Sequence, residues 1–433
     1  LGAGMVSQPL VIYLLGKGFF LTVADMNGEK ARSVINKLPL AVATELDINN
    51  DDELAALIAK HDIVVSLLPN TMHIQVLRQC IKLNKSMVTT SYQSQAMLEL
   101  KSQIEESGIT VLNEMGLDPG LDHMSARRII DRVHSQQGQI LNFYSLCGAL
   151  PAPEAANNPL AYKFTWSPSG VMVASLNSAQ YLNNGEIVTV AADQLFHNPF
   201  KVDFPDLGIL DVYPNRDSIA YIKDYGIDEV KTMLRGTIRL PGWCETLDAL
   251  RKLGLLDQQL TSMEHMTYFN LLERTVGTLY PEYESQIARF LQLPEDATAI
   301  KSLKWLGYFS NEPIGRLADS PFSVTRDLMF SRMMLPYGER DMVVMQHEFL
   351  VRYPGDREES IISRLLEYGD EKGHTAISRT VALPAAIATE LILTGELKQK
   401  GLLRPFTPEI YEPVLKHLEE EGICMKEEIT QMV

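Results

Sequence analysis

Apolar and polar positions follow two rhythms along this chain. Over the first 115 residues, short apolar runs are separated by amphipathic stretches. "FFLTVAD", "LAVATELDI", "DIVVSLLP", "SMVTTSY" and "ITVLNEMG" read as strands. "NGEKARSVINK", "NNDDELAALIAKH", "TMHIQVLRQCIKL" and "SQAMLELKSQIEESG" carry apolar residues at helical spacing. The acids of "NNDDE" suit a helix start, where the dipole favours negative charge. Strands alternating with helices of this length predict βαβ units and a parallel sheet. The fold class is therefore α/β, a Rossmann-like doubly wound sheet joined to a second α/β domain with a mainly helical insertion.

The rhythm changes after residue 124. "QILNFYSLCGAL" predicts a long strand and "VMVASLNSAQYL" a helix. Helical periodicity dominates from about 215 to 310, as in "WCETLDALRKLGLL" and "YESQIARFLQL". "DMVVMQHEFLVRY" and "ESIISRLLEYG" predict two further long strands, and the tail from "RTVALPAAIATELILTG" onward is helical. The expected organisation has a dinucleotide-binding domain over 1–123, with the tail 379–433 packed back on it. A substrate or interface domain spans 124–214 and 311–378, and a helical insertion 215–310.

Length fits this division, since 433 residues exceed what one hydrophobic core usually organises. A net charge of −16 repels nucleic acid and anionic membranes, so a small molecule is the expected partner. No apolar run stands out at the ~18 residues that span a bilayer. Cys80, Cys147, Cys244 and Cys424 form no CxxC pair, which argues against a metal site and fits a reducing, cytoplasmic setting. The chain opens on Leu1 rather than Met, so residues upstream are expected.

Candidate chemistry sharpens the picture. "GAGMVS" puts Gly2 and Gly4 before a helix, with Ser7 in place of a third glycine. Such a turn lets the backbone approach a pyrophosphate. The following strand ends in Asp25, where a carboxylate accepts from ribose hydroxyls and repels a 2′-phosphate. NAD is the expected cofactor, with NADP as the alternative. Ligands of such sheets lie beyond the carboxyl ends of the strands. The residues there are Ser66 to Pro69, Ser91 and Tyr92, and the decapeptide "EMGLDPGLDH" over 114–123. That decapeptide reads either as a plain hinge or as part of the site. Arg216, Arg235 and Arg239 could bind a carboxylate, or could be ordinary surface residues. His73, His123 and His347 are isolated in sequence and read as structural.

"LGAGMVSQP", "DIVVSLLP", "VTTSY", "GLDPGLDHM", "CGALPAPEAANNPLAYKFTWSP", "YPNRDS" and "LRGTIR" together resemble the glutamate-forming saccharopine dehydrogenases, or saccharopine reductases. The resemblance is dense to about residue 256 and looser beyond. It implies a nicotinamide-dependent, reversible oxidation of saccharopine at its lysine-side carbon. The imine is then hydrolysed to glutamate and aminoadipate semialdehyde. It implies Asp118, Tyr92 and Cys147 as the polar groups at the chemistry. Substrate contacts would come from Ser91, Tyr92, Asp118, Arg216, Thr237, Ile238 and Arg239. Cofactor contacts would come from Gly2, Gly4, Met5, Val6, Asp25, Met26, Asp47, Leu67, Leu68, Pro69 and Trp166. It further implies a homodimer, and a closure for which 114–123 is part of the hinge. Two alternatives stand beside it. One is a lysine-6-dehydrogenase or a carboxynorspermidine/homospermidine synthase-like enzyme of the same fold; the other is a non-catalytic NAD-binding protein.

Overall fold

Each apolar run of the first rhythm forms a strand in the computed structural model, which describes residues 1–36, 38–315 and 318–432. The strands are β1 (Leu21–Asp25), β2 (Ala41–Glu45), β3 (Ile63–Ser66), β4 (Ser86–Thr89) and β5 (Thr110–Leu112). All pair in parallel, β1 with β2 and β3 with β4 with β5; Gly401–Leu403 adds a parallel strand beside β5. Leu1 and Gly2 link the two groups. The Leu1 amine donates to Val65 O (2.7 Å), Leu67 N to Leu1 O, and Gly2 N to Ala24 O (2.8 Å).

Two of the intervening helices start where an asparagine supplies a cap. Asn27 accepts from Glu29 N and Lys30 N ahead of Gly28–Ile35. Asn50 accepts from Glu53 N ahead of Asp51–Ala59, whose first turn holds three acids. Their apolar faces bury Leu54, Ile58, Val76, Leu77, Met87 and Val111 in one cluster. "SQAMLELKSQIEESG" forms two helices rather than one, Gln95–Glu99 and Lys101–Ser107.

The chain divides into two compact units. The first comprises Leu1–Ser145, Lys223–Glu229 and Met345–Val433; the second comprises Leu146–Ile222 and Val230–Val344. In the first, the helix Ala376–Thr394 packs against Gln8–Gly16, with Tyr13 Oη donating to Glu390 Oε2 at 2.5 Å. That 19-residue helix is long and apolar enough to cross a membrane by length and composition, which corrects the reading that no such run exists. Most of it is buried inside the unit, as for a core helix.

In the second unit, "VMVASLNSAQYL" divides between a helix, Pro168–Ala174, and a strand, Ala179–Asn183. Three further strands follow, Glu186–Val190, Phe200–Phe204 and Gly208–Pro214, and none was anticipated. Thr232–Arg239 adds another strand, within the stretch read as helical insertion. These strands pair antiparallel. The turn between the first two holds Asn184 (φ 51°) and Gly185 (φ 84°), a left-handed pair that suits a tight hairpin. The helices Trp243–Lys252 and Tyr283–Leu291 form as the periodicity predicts.

The decapeptide 114–123 folds back on itself. Gly116 N donates to Pro119 O and Leu121 N to Gly116 O. Gly120 sits at φ 145°, and a β-carbon there would lie 2.2 Å from Gly116 O. Gly18 also has positive φ (84°) but faces open space. Gly120→Ala is therefore expected to cost more than about 2 kcal/mol, and Gly18→Ala only about 1 kcal/mol. Urea denaturation of both variants checks the difference; equal midpoints would contradict the account.

Candidate active site

The carboxyl ends of β1 and β3 shape a cradle around the glycine turn. Gly2 takes φ 90°, and a β-carbon on it would come within 3.0 Å of Leu67 O, so the turn and the 67–69 segment abut. Gly4 has nothing within 4 Å of its β position. The N–H groups of Gly4, Met5 and Val6 have no acceptor among the described residues, and they precede the helix Gln8–Gly16. Free donors at a helix start suit a pyrophosphate, so these residues fit a dinucleotide. Asp25 closes β1; Oδ2 accepts from Ala3 N and Oδ1 from Asn27 N, both at 2.8 Å. Met26 is 72% exposed beside it. Pro69 is exposed, and Asp47 turns into its own loop to accept from Asn49 N and Nδ2.

The ends of β4 and β5 bring Ser91, Tyr92 and Asp118 together. Tyr92 Oη donates to Asp118 Oδ1 at 3.0 Å, and both residues are half-buried. Backbone bonds hold the two segments, from Glu114 N to Ser91 O and from Met115 N to Thr89 O. Glu114 takes φ 61° and accepts from Gln93 N through Oε1 (3.1 Å). Its other oxygen lies 3.3 Å from His123 Nε2. His123 is fully buried; its Nδ1 meets Tyr225 Oη at 2.7 Å and lies 3.4 Å from Asp122 Oδ2. Asp122 Oδ1 in turn accepts from Gly120 N at 2.6 Å. In the decapeptide, glycines shape the fold-back, and the carboxylates of Glu114, Asp118 and Asp122 are engaged in polar contacts.

The three histidines read as isolated are not so in space. His347 Nε2 meets Ser125 Oγ at 2.8 Å. His73 is buried between strand ends, with Nδ1 at 2.8 Å from Ser66 Oγ and Nε2 at 2.8 Å from Ser91 Oγ. Burial pushes its pKa down to about 4, so the ring is neutral near pH 7. The contacts of Glu114 with His123 and of His73 with Ser66 and Ser91 are marked by no sequence spacing, because only the fold makes these residues neighbours.

The second unit carries the remaining candidates. Arg239 is 5% exposed, and its guanidinium faces the rings of Tyr162 (5.0 Å), Trp243 (5.5 Å) and Tyr213 (5.7 Å). It donates through Nη1 to Ile238 O and forms no ion pair among the described residues. Thr237 pairs with Tyr213 across the sheet, and Ile238 is buried. Cys147 is buried on the strand Gln139–Pro151, while Trp166 is half-buried in a turn. Arg235 stacks on Tyr221 at 4.4 Å. Arg216 is exposed, takes φ 53°, and accepts from Gln180 N through its carbonyl. Burial and the Asp211 charge push the Cys244 thiol up to about 12, so it stays protonated. Among the described residues there is no cluster of histidine, cysteine and acids that could hold a metal ion.

Comparison with known proteins identifies the frame that carries these residues. Residues 1–112 match the saccharopine dehydrogenase NADP binding domain, and residues 116–423 match the saccharopine dehydrogenase C-terminal domain. The chain is 37% identical over 448 residues to saccharopine dehydrogenase [NADP(+), L-glutamate-forming] of Saccharomyces cerevisiae, covering 99% of this chain and 98% of that protein. It is 36% identical over 440 residues to the mitochondrial alpha-aminoadipic semialdehyde synthase of Rattus norvegicus, covering 99% of this chain but 47% of that protein. The chain thus spans about half the length of the curated synthases it matches. The solved apo saccharopine dehydrogenase (L-Glu forming) of Saccharomyces cerevisiae superposes with a TM-score of 0.91 at 34% identity, covering 99% of this chain and 98% of that one. With both domains matched in order, this chain belongs to the saccharopine dehydrogenase family.

Proposed function

We propose that the chain oxidises saccharopine at its lysine-side CH–NH bond and hydrolyses the resulting imine to L-glutamate and L-2-aminoadipate 6-semialdehyde, reversibly, in lysine metabolism. The observation that carries this reading is the likeness along almost the whole length of the yeast enzyme, which is named a saccharopine dehydrogenase that uses NADP(+) and forms L-glutamate. A nicotinamide dinucleotide held at the glycine turn would accept or return the hydride. The reaction consumes one water and releases one proton in the direction of oxidation.

The chain's own residues account for the rest. Asp118, on the fold-back beyond β5, accepts a bond from Tyr92 Oη, and the pair can take up the proton released at the secondary amine or aim the water. Orientation of the reacting carbon contributes several kcal/mol and needs no acid or base. Asp118 and Tyr92 therefore tune a reaction that positioning makes feasible. In the second unit, Arg239 is a cation without a carboxylate partner among the described residues. Saccharopine has three carboxylates, and one of them would neutralise it. A diamine substrate would leave that buried charge uncompensated, which ranks the polyamine-forming reading lower.

Cofactor choice turns on Asp25. The family description and the yeast enzyme's name point to NADP. Yet Asp25 presents a carboxylate at the strand end where a 2′-phosphate would sit, and the nearby Arg32 is paired with Glu29 at 2.7 Å. We infer that this chain favours NAD.

Asp118→Ala is expected to lower kcat/KM for saccharopine by about 10²–10³-fold while leaving a measurable rate, and Tyr92→Phe by about five- to tenfold. Steady-state assays decide this; unchanged kcat and KM in Asp118→Ala would remove its role. Asp25→Asn keeps an acceptor oxygen and removes the charge. It is expected to reduce the ratio of kcat/KM with NAD to that with NADP by about tenfold. A wild-type enzyme faster with NADP would reverse the cofactor assignment.

A further inference from the structure

Ser66 is the last residue of β3, immediately before 67–69, and Ser91 follows β4, immediately before Tyr92. Both hydroxyls bond the same imidazole. His73 Nδ1 lies 2.8 Å from Ser66 Oγ, and Nε2 lies 2.8 Å from Ser91 Oγ. Thr89 Oγ1 is 3.2 Å from Nε2 and accepts from Ser91 N at 3.3 Å, so it closes the network on the Ser91 side. His73, Ser66 and Thr89 are fully buried, and no water can replace a lost partner without first entering the core. The ring is rigid, and a neutral imidazole has one donor and one acceptor nitrogen, so its width fixes the separation of the two hydroxyls. His73 itself is anchored as the first residue of the helix His73–Leu83. No part of the hydride or proton chemistry requires this histidine.

We propose that His73 is a positioning residue, a crosspiece that sets the spacing between the 67–69 turn against the glycine cradle and the Ser91–Tyr92 turn at the substrate end. The first turn abuts Gly2 through Leu67 O, and the second carries the Tyr92 hydroxyl bound to Asp118. Each nitrogen of the ring serves one turn. The depressed basicity of the ring is consistent with this, because a neutral imidazole keeps both roles through the pH range of activity. The inference rests on the catalytic reading above only for its turnover arm.

The two nitrogens can be tested separately. His73→Asn places an amide near Nδ1 and keeps the Ser66 bond; His73→Gln places one near Nε2 and keeps the Ser91 bond. Nucleotide affinity is read by NADH fluorescence titration, turnover by saccharopine-dependent NAD reduction, and folding by thermal melting. His73→Gln, and Ser66→Ala in parallel, should weaken NADH binding about five- to tenfold with kcat within about twofold of wild type. His73→Asn should keep NADH affinity within about twofold and lower kcat about tenfold. Equal losses of affinity and turnover in both histidine variants would overturn the proposal. So would a fall in melting temperature with affinity and kcat both unchanged. A wild-type protein inert towards saccharopine would remove the catalytic reading, while a difference in NADH affinity between the two variants would still support the crosspiece.

Discussion

Polar groups buried at the carboxyl ends of a parallel sheet must find their partners inside the protein. An unpaired one costs about 1–3 kcal/mol, a large fraction of a domain's net stability. That constraint organises the first unit. Glu114 bonds the backbone of Gln93 and faces His123, Asp122 caps Gly120, and His73 joins Ser66 to Ser91. The bonds to Gln93 N, Gly120 N and the two serines each satisfy a buried group, and those of Glu114 to Gln93 and of His73 to Ser66 and Ser91 also tie one strand-end segment to another. The geometry of Tyr92 and Asp118 follows from this mesh, because neither segment can move without breaking a bond in the core.

Glycine makes the mesh possible at two points. Gly2 allows the glycine turn to lie against Leu67 O, and Gly120 allows 116–120 to close on itself. Any side chain at either position would separate segments that the hydrogen bonds hold together. The backbone freedom of these residues and the buried polar bonds are two parts of one arrangement. Only glycine lets the segments approach, and only the bonds keep them there.

Much of this was legible in the sequence, and the reason is periodicity. β1 to β5 are short apolar runs alternating with helices, two of which start at asparagine caps, and the glycine turn and Asp25 stand where such a fold needs them. The strands between 179 and 214 were not read. They are five to seven residues long with mixed exposure, and the hairpin signal Asn184–Gly185 is their main local mark. The histidine contacts were illegible for a different reason. Ser66, His73 and Ser91 lie 7 and 18 residues apart, and no spacing rule marks them as neighbours. Their one local hint is position: two serines at strand ends, and a histidine opening the helix between those strands.

Arg239 shows the same logic with opposite sign. The chain carries −16 net charge, yet it encloses this cation among three aromatic rings, its one side-chain hydrogen bond among the described residues being to Ile238 O. Aromatic faces offset part of the desolvation cost of a guanidinium, about 0.5–2 kcal/mol each, whereas burying the ion costs several. A carboxylate from the protein would balance the site but would also leave it unable to take an anion. Aromatic rings avoid that, since they stabilise the cation without neutralising it. On the proposed function the residual charge would meet a ligand carboxylate, and the net negative charge elsewhere would do little to mask it, because solvent screens charges beyond roughly 8–10 Å at physiological ionic strength. An acidic protein can in this way bind a polyanionic substrate by keeping one cation enclosed and incompletely compensated.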